Sequence, residues 1–118
     1  MDENLIKLYK KYSISFCNYT VSESYTKANR MIDKLNDIRR KVKCEYNKEQ
    51  IEEFYGKMLF DENIYVRYTA ACYCLRIGIF IKEARKILKV ISKDINIHYT
   101  IRFDAKMSLK YIEKTEDI

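Results

Sequence analysis

Asp61 to Leu75 read DENIYVRYTAACYCL, and this stretch sets the plan of the chain. Asp61 suits a helix N-cap, because its carboxylate can accept from the first free backbone amides. Val66, Ala70, Leu75 and Ile77 then recur on one helical side, the pattern of a buried helix. Ala70 and Ala71 remove bulk, so a second helix can approach closely. Arg67, next to Val66, carries a fork of donors able to tie a neighbouring helix end or a nearby carboxylate. Gly78 follows as a left-handed stop, and FIKEARKILKVIS from Phe80 supplies the next helix.

The pattern returns. Val66-Arg67-Tyr68 with Ala70 is echoed by Ile101-Arg102-Phe103 with Ala105, and Arg67 and Arg102 stand 35 residues apart. The same offset pairs Cys72 with Met107, Cys74 with Leu109 and Ile77 with Ile112, while Lys106 and Lys110 break the match to Ala71 and Leu75. A period in this range marks helix pairs that bury their apolar faces by stacking on one another. An acidic cap followed by Val-Arg, Ala-Ala and Leu at these spacings resembles the first helix of a HEAT repeat. Asp61, Val66, Arg67, Ala70, Ala71 and Leu75 carry the likeness, with Arg102 and Ala105 in its echo. Together with Asn29-Arg30 on an earlier long helix, they also resemble a short bacterial HEAT-like family of unknown function. The resemblance implies a fold and no activity: a HEAT-like part over about 47–113, built as a right-handed solenoid or an irregular bundle.

Composition agrees with an all-α chain. At 118 residues the sequence makes one domain, 1–118, with no Pro, only 2 Gly and no hairpin-turn dipeptide. About six helices in antiparallel pairs are expected. The first runs from about Asn4 to Asn18, with Leu5, Leu8, Tyr9, Tyr12, Phe16 and Tyr19 as its core stripe. Thr20 and Glu23 form a capping box for the second, whose apolar side is Ala28, Met31, Ile32, Leu35, Ile38 and Val42. Asn47 and Gln50 form another for the third, where an internal Gly56 suggests close packing. The fifth, from about Phe80 to Lys93, turns Ala84, Ile87, Leu88 and Ile91 inward, and the sixth spans about Ile97 to Glu113 with a frayed acidic end.

Acids near the N-terminus where a signal peptide carries base, and no apolar run of about 18 residues, place the chain in the cytoplasm with no membrane contact. Cys17, Cys44, Cys72 and Cys74 form no C-x-x-C pair, so reduced thiols are expected. On a helix Cys72 and Cys74 diverge by about 200° and cannot share an ion. Two glycines cannot make a nucleotide loop, and Glu52 and Glu53 diverge as neighbours. His98 lies at a helix start, where a capping or exposed role is more common than catalysis. No catalytic residue, cofactor or metal is therefore expected, and the chain reads as a non-enzymatic binding module.

Net charge is +6, with +3 on residues 1–60 and +3 on residues 61–118, so no basic tail exists. The most basic face is Lys82, Arg85, Lys86, Lys89 and Lys93 on the fifth helix, and Arg39 and Arg40 belong to a separate basic cluster near the end of the second. For the latter pair, compensation of the helix dipole is the plainer account. These residues are the candidates for contact with a protein partner, most concretely a bacterial toxin neutralised by a cytosolic immunity protein. An acidic or neutral toxin suits the charge best. Nucleic acid held by the basic helix face is the alternative, and exposed tyrosines such as Tyr46, Tyr65, Tyr99 and Tyr111 would suit a homodimer.

Overall fold

Six α-helices make up the fold in a computed structural model that describes residues 2–116, with side chains described through Tyr111. They are α1 (Glu3–Val21), α2 (Tyr25–Glu45), α3 (Lys48–Leu59), α4 (Ile64–Ile77), α5 (Ile81–Lys93) and α6 (Tyr99–Glu116). Short connections fold each helix back beside its predecessor except α3, which turns away from α2, and no strand occurs among the described residues. α1 packs along α2, α3 on α4, α4 on α5 and α5 on α6, while α1 also crosses to α4 and α6.

Local chemistry explains the boundaries. Asp2 caps α1 by accepting from the Asn4 amide at 2.9 Å. α1 then overruns the expected stop near Asn18 and absorbs Thr20, whose hydroxyl donates back to the Phe16 carbonyl at 2.8 Å. The expected Thr20–Glu23 capping box therefore does not form. Glu23 instead takes a left-handed φ of 61° in the turn, and Ser24 opens α2 without a side-chain cap bond. At α3 the box does form: Asn47 Oδ1 accepts from the Gln50 amide at 2.9 Å, and Gln50 Oε1 accepts from the Asn47 amide at 3.0 Å. Gly78 closes α4 at φ 76°. α6 continues past the expected end to Glu116, and Asp117 and Ile118 of the acidic end lie outside the described residues.

α4 is the central helix. Val66, Tyr68, Thr69, Ala70, Ala71, Cys74 and Leu75 are all buried, because α1, α3, α5 and α6 each cover part of its circumference. Its buried polar groups are satisfied across helices. Thr69 Oγ1 lies 2.7 Å from Ser13 Oγ on α1, and the Tyr68 hydroxyl donates to Asp104 on α6. Ile77, expected on the buried side, is exposed where α4 runs out toward Gly78.

The 35-residue echo is matched in burial at its core. Val66 and Ile101 are both buried, as are Ala70 and Ala105. It diverges further along: Cys74 is buried but Leu109 only half so, and Met107 is exposed where Cys72 is half-buried. The side chain of Ile112 lies outside the described set. In α1 the buried line is Leu5, Ile6, Tyr9, Ser13 and Cys17, so the expected stripe is rotated and Leu8, Tyr12, Phe16 and Tyr19 sit at its margin. Tyr9 packs edge-on against Phe54 and Tyr55 of α3, with ring centroids 5.5 and 6.1 Å apart. Gly56 faces Phe80, but a methyl group there would meet the ring at 3.5 Å, ordinary contact, so packing does not demand a glycine.

Candidate partner-binding face

On α5 the core residues Ala84, Leu88 and Ile91 lie on one side, and the spacing of i, i+4, i+7 and i+11 sets Lys82, Lys86, Lys89 and Lys93 on the other. All four lysines are exposed, and none forms an ion pair among the described residues. Arg85 flanks them, half-buried and engaged with other groups. The row presents positive charge to solvent along one side of the helix, with Glu83 and Asp61 as the acids nearest Lys86.

Beside this row runs a groove of about 450 Å³. Phe60, Ile64, Ile87 and Val90 supply its apolar lining, and Arg67, Lys86, Asp61 and Glu83 its polar edge. Phe60 is 71 % exposed and Val90 60 %, unusual for large apolar side chains standing together at one concavity. The turn that presents Phe60 is pinned from below. Arg67 Nη1 donates to the carbonyls of Asp61 at 2.7 Å and Glu62 at 2.9 Å, and Asp61 Oδ1 receives Lys10 Nζ of α1 at 2.7 Å. Asp61 Oδ2 also accepts from the Asn63 amide at 3.0 Å.

Asp61 is thus not the cap of α4. That position belongs to Asn63, whose Oδ1 accepts from the Tyr65 and Val66 amides at 2.8 and 3.4 Å. Two residues nearer the helix, Asn63 reaches the free amides, while Lys10 draws the Asp61 carboxylate toward α1. Burial pushes the Asp61 carboxyl up, but the bonds from Lys10 and the Asn63 amide and the Arg67 charge more than offset it, holding the group below its ordinary value. Arg102 does not repeat the role of Arg67: its Nε is buried with no protein acceptor among the described residues.

The basic candidates divide. The α5 lysines form one row. Arg40, on α2, is exposed and paired with Asp37 one turn back. Arg39 is not a surface residue at all; only 7 % exposed, it stacks on the Tyr73 ring at 4.3 Å and donates to the Tyr9 hydroxyl at 3.3 Å and to Asn36 Oδ1 at 3.1 Å. Its helix places it inside, one turn from Leu35 and less than one from Val42. Phe60 and Val90 escape sequence reasoning: Phe60 follows the last turn of α3, and Val90 interrupts the basic side of α5. The one legible signal is that neither joins the apolar period of its helix.

Tyr46 and Tyr65 are half-buried, while Tyr99 and Tyr111 are exposed on α6. His98 caps α6, its Nδ1 accepting from the Thr100 amide at 3.2 Å, with its ring against Tyr99. Among the described residues no group of three metal-binding side chains comes together, and no helix is long and apolar enough to cross a membrane. No family model, curated protein or solved structure matches the chain.

Proposed function

We propose that this chain is a non-enzymatic protein-binding module that takes an acidic partner on the Phe60–Val90 groove and the lysine row of α5. The observation that carries this reading is the coincidence of two exposed apolar anchors with the unpaired Lys86 at one concavity beside the lysine row. Protein interfaces have this anatomy, a few buried anchors inside a polar rim. The α4–α5–α6 stack, read as HEAT-like, is the stiff support for that face. In its most concrete form the partner is a bacterial toxin with an acidic patch, and the chain acts in the cytoplasm as its immunity protein.

The test uses host lysate passed over immobilised wild-type protein, Phe60→Ser, and the double variant Lys86→Glu/Lys89→Glu. A single protein retained by wild type and lost by both variants supports the face. Equal retention by all three rejects it. Expression of the captured protein alone then tests the immunity form: arrested growth relieved by this chain supports it, and unaffected growth rejects it. The unpaired lysine row also favours a second reading, nucleic acid held along α5. That reading requires binding that weakens steeply between about 50 and 200 mM salt as counterions are released. No binding at the lower salt disposes of it.

A further inference from the structure

Arg39 lines a second concavity, a cleft of about 260 Å³ among α1, α2, α4 and α6 that shares no lining residue with the groove on α5. A guanidinium withdrawn this far from water normally has a carboxylate partner, because an uncompensated charge in the interior is costly. Arg39 has none among the described residues. The nearest substitute is the face of Tyr73, which engages the plane of the guanidinium and leaves its N–H edges directed elsewhere. Of the five N–H donors of an arginine, one goes to Asn36 and one to Tyr9. The Nε–H has no acceptor among the described residues.

The cleft itself has the polarity of an anion site. Arg76 joins Arg39 in its wall, Asn36 and Ser108 add neutral donors, and the opposing acid, Asp104, is already engaged by the Tyr68 hydroxyl. Two cations against one carboxylate leave a positive excess. Burial and then the Asp104 charge push the Cys72 thiol in this cleft up to about 12, against smaller opposing effects of the Ser108 bond and the Arg39 and Arg76 charges.

We propose that this cleft binds a small oxyanion, a carboxylate or phosphate group, with the Arg39 guanidinium as its fixed donor and Arg76 as its closing one. Arginine matches both groups through parallel N–H donors, and a charge-assisted bond in a sheltered site is stronger than one at the surface. The site is independent of the partner face on α5.

The experiment follows the Arg39 Nε–H resonance in ¹⁵N-labelled full-length protein. Succinate and inorganic phosphate are each titrated against sodium chloride at matched ionic strength. The expected result is a saturable shift with at least one of them, which also identifies the group bound. Arg76→Gln, at an exposed position, should weaken that affinity about tenfold, the loss of one charge-assisted bond. Lys86→Gln should leave it unchanged. An Arg39 Nε–H that responds to neither anion, or no more than to chloride, overturns the proposal, as does an unaltered affinity in Arg76→Gln.

Discussion

Thr69→Val probes the junction that ties α1 to the central helix. The substitution keeps the shape of the side chain and opens no cavity. It removes the partner of Ser13 Oγ, which is fully buried and has no other protein hydrogen bond among the described residues. A hydroxyl stranded in that way costs about 1–3 kcal/mol. Ser13→Ala should cost less, about 0.5–1 kcal/mol, because Thr69 keeps its bond to the Val66 carbonyl at 3.2 Å. In the double variant neither hydroxyl remains to be stranded, so the combined loss should fall short of the sum by about 1 kcal/mol. Urea unfolding followed by circular dichroism reads this directly: the midpoint of Thr69→Val should drop by about 1 M at unchanged slope. Strict additivity of the two single changes would refute the reasoning, since it would mean that the two hydroxyls do not depend on each other.

Three further outcomes are expected. Gly56→Ala should raise stability by about 1 kcal/mol in urea melts, since the new methyl group meets Phe80 at ordinary contact distance and helix propensity improves; a loss would mean that Phe80 cannot give way. The Asp61 carboxyl is held below its ordinary value in the fold, so its contribution to stability is present above the unfolded carboxylate value and disappears as pH falls through the folded one. Asp61→Asn should therefore flatten the acid limb of stability between about pH 5 and pH 2, and an unchanged limb would contradict the Lys10–Asp61 geometry. With Ellman's reagent at neutral pH only the exposed Cys44 should react quickly. Burial raises the Cys17 thiol and pushes Cys72 and Cys74 up to about 12, so those three should react only on denaturation, and a second fast thiol would count against the packing of α4.

The helices were legible because their signals are local. Asn47 and Gln50 satisfy each other within one turn, Gly78 needs no distant partner, and Ala70 and Ala71 mark the helix with close neighbours on most sides. Misreadings arose where a distant residue decides between local options. Asp61 and Asn63 are both good caps in isolation, and Lys10 on α1 makes the choice. Arg39 follows the apolar period of α2, yet its charge argues for the surface; the aromatic faces that receive it, Tyr9 and Tyr73, come from other helices. The groove at Phe60 is likewise made by the α3–α4 turn and α5 together, and neither segment announces it alone.

The crossing of α1 to α6 joins the first and last of the six helices in one body. A linear array of helix pairs frays from its ends, each pair opening at its own free energy. Here the last helix cannot peel away without uncovering the first, so amide hydrogens in the middle of α6 and of α1 should exchange through one shared opening event. Any partner gripping α5 from outside therefore meets a support that yields all at once or not at all.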